Sequence, residues 1–178
     1  MDRKLQEIMM EDKKANTNNT KTRSYLYYYR KAQWYKDRSR IKYVRNKFLL
    51  LLKFRYTGVE LKETIHVGKG LRLPHLQGII VSDYATIGDY CTIYHQVTIG
   101  SNEHNIEYRN APKIGNCVYI GAGAKLIGNI EIGDNVIIGA NATVTKSVPN
   151  GMTVVGNNIL LKTSVKRNPH PCLDIDFE

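Results

Sequence analysis

The stretch KIGNCVYIGAGAKLIGNIEIGDNVIIGANATV, residues 113–144, repeats itself every six residues. Large aliphatic side chains fall at Ile114, Ile120, Leu126, Ile132, Ile138 and Val144, and smaller apolar positions follow four residues on, at Val118, Ala124, Ile130, Val136 and Ala142. Glycine comes directly after the large residue at Gly115, Gly121, Gly133 and Gly139. Upstream, the same beat runs through Ile87, Ile93 and Ile99, with Cys91 and Val97 in the second apolar slot. A period of six matches neither the 3.6 of an α-helix nor the 2 of a strand. Self-similarity at a fixed period marks a stacked repeat architecture, in which each unit buries its apolar residue only against its neighbours. The expectation is a solenoid of short strands and tight corners from Val67 to about Lys162, about five coils if three hexapeptides close one turn. Asn116, Asn129, Asp134, Asn135 and Asn141 fall where the corners need residues tolerant of unusual backbone angles.

Two breaks interrupt the beat. Leu73 to Val81 spans eight residues instead of six, and the surplus lies at Pro74-His75-Leu76-Gln77-Gly78. Ile99 to Ile114 spans fifteen, read here as three beyond twelve, and the surplus lies in the polar stretch Ser101–Pro112, which must leave the solenoid as a protruding loop. Irregular segments held on a rigid scaffold are where function concentrates. Each of these two carries a histidine.

The remaining composition sets boundaries. A chain of 178 residues can bury one solenoid core and an appendage. Its formal charge of +10 is concentrated between Arg23 and Tyr56, where eleven Lys or Arg face one acid, Asp37. Tyr25, Tyr27, Tyr28, Tyr29, Trp34, Tyr35, Tyr43 and Phe48 are interleaved with them, and no Pro or Gly intervenes. This predicts one or two helices with an apolar edge through Leu26, Trp34, Ile41, Val44, Phe48 and Leu52. No nucleic-acid motif accompanies the basic stretch, so no nucleic acid is expected. Packing on the solenoid, oligomer contact and attachment of residues 23–56 to an anionic membrane surface all stay open.

Three cysteines without a CxxC pair read as buried or idle thiols in a reducing cytosol. Five histidines show no ligand spacing such as HxxxH, so no metal is expected. Met1–Thr22 is too polar for a signal peptide, and Phe48–Leu52 is far shorter than the roughly 20 residues of a membrane span. A cytoplasmic location is expected, with the inner face of the plasma membrane as the place of any surface contact. The organisation predicted is a flexible polar N-terminus at 1–22, a basic aromatic helical segment at 23–57, the solenoid at 58–162 with its loop at 101–112, and a tail at 163–178.

Several segments together resemble the serine-acetyltransferase branch of the hexapeptide acyltransferases: Gly68-Lys69-Gly70-Leu71, His75-x-x-Gly78-Ile79, Tyr94-His95-Gln96-Val97-Thr98-Ile99-Gly100, Pro112-Lys113-Ile114-Gly115, Tyr119-Ile120-Gly121-Ala122-Gly123-Ala124-Lys125 and Val144-Thr145-Lys146-Ser147-Val148-Pro149. The resemblance implies a mainly β fold, a left-handed parallel β-helix with a short basic helical N-terminal segment. It also implies homotrimers with acetyl-CoA held between adjacent subunits. A histidine at the place of His75 would be the general base, and the carboxylate fifteen residues upstream that orients it would be Glu60. An imidazole suits that role because its ordinary pKa lies near neutrality. The resemblance places the donor on the backbone around Gly121, Ala122 and Ala140, with Ser101 a further contact and Lys146 a partner for the CoA 3′-phosphate.

Departures from the branch shape the acceptor reading. The aspartate that would precede the base and hold serine is Pro74, and the Arg-His pair before Pro-Lys-Ile is Asn110-Ala111. The tail Asp174-Ile175-Asp176-Phe177-Glu178 lacks the terminal isoleucine that docks on cysteine synthase, so that partner is not expected. His95, His104 and Arg109 are the candidates for a second catalytic or acceptor-positioning group, with His104 the rival to His75 as base. These departures resemble the capsule and exopolysaccharide O-acetyltransferases, and the expectation is a sugar or lipid-linked saccharide acceptor. Serine O-acetylation is the alternative, and a non-catalytic β-helix trimer is the rival from another class.

Overall fold

The computed structural model describes residues 2–102 and 110–162. Three helices come first: α1 (Arg3–Ala15), α2 (Thr20–Tyr35) and α3 (Arg40–Thr57). Thirteen short strands follow: β1 (His66–Val67), β2 (Ile80–Val81), β3 (Thr86–Ile87), β4 (Thr92–Ile93), β5 (Thr98–Gly100), β6 (Lys113–Ile114), β7 (Tyr119–Ile120), β8 (Lys125–Ile127), β9 (Glu131–Ile132), β10 (Ile137–Ile138), β11 (Thr143–Val144), β12 (Met152–Val155) and β13 (Ile159–Lys162). They form three faces of a prism, β1-β3-β6-β9, β4-β7-β10-β12-β13 and β2-β5-β8-β11. From β2 to β11 successive strands visit the faces in rotation. All pairings are parallel except the closing β12–β13 hairpin.

Register explains the six-residue period. Ile87 aligns with Ile114 and Ile132, Ile93 with Ile120, Ile138 and Val154, and Val81 with Ile99, Leu126 and Val144. Each aligned set is a stack of buried aliphatic side chains one turn apart, and together the stacks are the core. The corners are held by a side-chain ladder as well as by backbone. The amide of Lys69 donates to Asp89 Oδ1, that of Asp89 to Asn116 Oδ1, that of Asn116 to Asp134 Oδ1 and that of Asp134 to Asn150 Oδ1, at 2.6–2.9 Å. Asn135, at this corner, and Asn141, at the next, adopt φ of 58° and 55°, the left-handed region asparagine tolerates.

The longer break differs from its expected size. Strand β5 leads directly to β6 on the next face, one hexapeptide step, so the fifteen-residue span from Ile99 to Ile114 carries nine surplus residues and not three. No intermediate face lies between the two strands, because Lys113 and Ile114 pair with Thr86 and Ile87 of the preceding turn.

The N-terminal residues also differ from their expectation. Residues 3–15, read as part of a flexible terminus, form α1, with Asp2 as its N-cap accepting from Lys4 N at 2.9 Å. The first turn of the solenoid has an edge with no preceding coil, and unpaired strand edges must be covered or satisfied. Polar side chains of α1, α2 and their link do this. Asn16 Nδ2 donates to Leu71 O at 2.8 Å while its Oδ1 accepts from Leu73 N at 3.1 Å. Asp12 Oδ1 accepts from Leu71 N at 3.0 Å, Thr22 Oγ1 donates to Leu73 O and Asn19 Nδ2 to Pro74 O, both at 2.8 Å. Arg30 is 2 % exposed; it pairs with Asp12 at 2.7 Å and donates to Val67 O at 2.7 Å and Gly68 O at 2.5 Å. These residues mimic the missing coil.

The expected apolar edge divides in two. Leu26 is buried with Tyr25, Tyr29 and Ala32 against the solenoid, whereas Ile41, Val44, Phe48 and Leu52 of α3 face solvent. No described helix is long and apolar enough to cross a membrane. The cysteines are not all idle thiols. Cys91 is free and buried, which pushes its thiol up to about 12, while Cys117 is disulfide-bonded.

Candidate active site

The first break puts His75 at the solvent-facing end of the Pro74–Gly78 excursion, exposed. The pairing Arg72↔Thr92 sets this turn against the next, so His75 and His95 occupy matching places three residues later. Their rings lie 5.4 Å apart, near perpendicular at 80°. That separation is close to the 4.7–4.9 Å between neighbouring strands. The same register continues through Thr92↔Tyr119 and Tyr119↔Ile137, which places Ala122 and Ala140 at the same position in the following turns. Thus the candidate base, a second histidine and two of the donor-binding candidates form one column along one corner of the prism. Gly121 is buried beside it, where a Cβ would sit 2.6 Å from Ala140 N.

His95 is held differently from His75. Its Nδ1 is buried and has no hydrogen-bond partner among the described residues. Next to it Tyr94 lies 6.1 Å from His75 and 5.3 Å from Tyr119, ring centre to ring centre. Burial, aided by a hydrogen bond to Tyr94, pushes the Tyr119 hydroxyl up to about 12, so this phenol stays protonated and available as a donor at neutral pH. An unpartnered buried nitrogen beside an exposed imidazole is an arrangement that a hydroxyl-bearing ligand can complete.

A cavity of about 520 Å³ opens beside His75. Its walls come from the Pro74–Gln77 excursion, from Asn19, Lys21, Thr22 and Tyr25 at the start of α2, and from Lys53, Tyr56 and Thr57 at the end of α3. Two ammonium groups and, among the described residues, no carboxylate line it, so its electrostatics favour an anionic group. Sequence reasoning missed these helix residues. For Tyr25, Lys53 and Tyr56 the signal was the basic, aromatic composition of residues 23–56, which carried no hint of proximity to His75, and Asn19, Lys21 and Thr22 lie before that stretch.

Other candidates lie apart from this column. Glu60 is exposed and bridges Ile80 through its backbone, its amide donating to Ile79 O at 2.7 Å; no hydrogen bond joins it to His75. Ser101 and Lys146 share a second column, set by Thr98↔Lys125 and Lys125↔Thr143, on a different corner from Ala122 and Ala140. One chain therefore does not bring the two sets of donor-binding candidates to one groove. His104 and Arg109 lie outside the described residues. No group of three or more metal-ligating side chains occurs among the described residues.

Residues 111–146 match the family model described as bacterial transferase hexapeptide (six repeats). A serine acetyltransferase of Synechococcus elongatus is 40% identical over 115 residues, which is 64% of this chain and 47% of that protein. The chain spans about half the length of the curated relatives it matches. Among solved structures, the soybean serine acetyltransferase apoenzyme superposes with a TM-score of 0.78 at 29% identity, covering 90% of this chain and 70% of that one. A Brucella abortus serine acetyltransferase in complex with coenzyme A gives 0.77 at 25% identity, covering 90% and 69%. The prism is accordingly a left-handed parallel β-helix. These relatives overturn the expectation of a sugar or lipid-linked saccharide acceptor in capsule or exopolysaccharide synthesis. That expectation rested on charges missing at Pro74 and Asn110-Ala111, and it took no account of the lysines that the helices bring to the cavity beside His75.

Proposed function

We propose that this hexapeptide-repeat protein of the bacterial transferase kind transfers the acetyl group of acetyl-CoA to the side-chain hydroxyl of serine. The observation that carries the reading is the column His75–His95–Ala122–Ala140, which lines up an imidazole with small side chains along one corner. The names of the relatives, and the coenzyme A in one of the solved structures, support the donor and the acceptor.

In this reading His75 Nε2 or Nδ1 takes the hydroxyl proton as the serine oxygen attacks the thioester carbonyl. The new C–O bond forms, the C–S bond breaks, and the imidazolium returns its proton to the departing thiolate. His95, whose buried Nδ1 has no partner among the described residues, positions the hydroxyl against His75. Tyr94 and Tyr119 wall the site on the solenoid side. General-base catalysis of this type contributes about 10²–10⁴-fold. Lys21 and Lys53 attract the carboxylate of the amino acid into the cavity, taking over from the absent Arg-His pair.

The cofactor slot is completed by assembly. Ala122 and Ala140 offer shallow side chains along which a thin pantetheine chain lies against backbone. Ser101 and Lys146 sit on another corner of the same chain, so a threefold assembly that sets one corner of each subunit against the other corner of its neighbour brings the two sets to one groove. The test is release of free thiol from acetyl-CoA with L-serine, with O-acetylserine identified by mass spectrometry. Absence of O-acetylserine refutes the reading.

A further inference from the structure

Helix α3 exposes a contiguous apolar strip that the proposed chemistry does not use. Ile41 is 84% exposed, and Val44, Phe48, Leu51 and Leu52 between 40% and 59%. Their spacing places them on one side of the helix, opposite Asn46 and Leu50, which are buried. The surrounding charge is of one sign. Arg40, Lys42, Arg45, Lys47, Lys53 and Arg55 belong to α3, and the helix contains no acid. Only Lys47 among them is ion-paired within the described residues, to Glu63 at 2.8 Å. By helical position Arg45 and Arg55 fall within the apolar strip, and Lys42 and Arg40 flank it.

We infer that this face of α3 docks on the surface of an anionic phospholipid bilayer. The charge pattern selects the occupant. A second α3 laid against the first would bring Arg45 and Arg55 against identical cations with no carboxylate on either helix to offset them. Anionic headgroups supply the complementary charge. The long arginine and lysine stems let the charged heads reach phosphate while Ile41, Phe48 and Leu52 enter the interface between headgroup and acyl chain. Each cation near such a surface strengthens attachment, and the attraction fades within about one Debye length. No helix needs to span the bilayer. The attachment would be peripheral and reversible, and it stands whether or not serine is the acceptor.

Co-sedimentation of the full chain with vesicles tests this. Vesicles containing roughly a third phosphatidylglycerol should bind the protein at low salt, and pure phosphatidylcholine should bind it about tenfold less or weaker. Raising ionic strength from about 0.05 to about 0.5 M should release most of it. Phe48→Glu with Ile41→Glu should reduce binding at least about tenfold, and Arg45→Gln with Arg55→Gln by about tenfold or more, with circular dichroism unchanged. The inference is overturned if the wild type ignores anionic vesicles or binds neutral ones equally. It is also overturned if the glutamate pair dissociates an oligomer in analytical ultracentrifugation without altering vesicle binding, because the strip is then a subunit contact.

Discussion

Replacing Arg30 with methionine removes the cation that holds α1, α2 and the first solenoid turn together. Its side chain is 1% exposed and that of Asp12 4%, so the carboxylate left behind has no access to water as a substitute partner. Val67 O and Gly68 O lose their guanidinium donors in the same step. Breaking a buried pair from one side costs about 3–5 kcal/mol, and each orphaned carbonyl adds up to about 1–3 kcal/mol. The pH dependence identifies the cause. Burial already pushes the Asp12 carboxyl above its ordinary range, opposed by Arg30 and by the amide of Leu71. A carboxyl raised in the folded state binds its proton more tightly there than in the unfolded chain. Its contribution to stability is therefore complete below the unfolded pKa and lost as pH rises through the folded one. Without Arg30 the folded value climbs further, so the deficit of the variant should be largest above neutrality and shrink on acidification toward pH 5. Urea unfolding followed by circular dichroism, at equal protein concentration and at pH 8 and pH 5.5, reads both effects. A deficit below about 1 kcal/mol at pH 8, or one equal at both pH values, would refute the reasoning.

Gly121→Val should destabilise the solenoid by at least about 1–3 kcal/mol, because its Cβ would meet Ala140 N at 2.6 Å; thermal unfolding measures it. Lys53→Gln should raise KM for L-serine several-fold and leave KM for acetyl-CoA unchanged, since Lys53 lines the cavity beside His75; steady-state kinetics with each substrate varied separates the two. Asn16→Leu should cost about 1–3 kcal/mol by leaving Leu71 O and Leu73 N without partners, read by the same urea titration.

The inward stacks were legible because burial in a solenoid repeats the same environment at a fixed spacing, so Ile114, Ile120 and Leu126 announce themselves by period alone. The size of the long break was not. A fifteen-residue span is compatible with one hexapeptide step or two, and only the pairing of Lys113 with Thr86 decides between them. Helix α1 escaped notice for a different reason. Asp12, Asn16, Asn19 and Thr22 look like a solvated polar run, yet they satisfy backbone groups more than fifty residues away. Long-range polar partners leave no periodic trace. The acceptor was misread in the same manner. Pro74 and Asn110-Ala111 showed which charges had left the loop, while the arrival of Lys21 and Lys53 depends on how two helices fold over the first turn. His75 and His95 became a pair only through the register Arg72↔Thr92, although each was visible as a candidate histidine.

The most direct measurement is the rate of O-acetylserine formation from acetyl-CoA and L-serine by the wild type and by His75→Ala. The account predicts turnover by the wild type and a fall of about 10²–10⁴-fold in kcat in the variant, with circular dichroism unchanged. Wild-type protein that makes no O-acetylserine, or a variant that makes it at the wild-type rate, would contradict it.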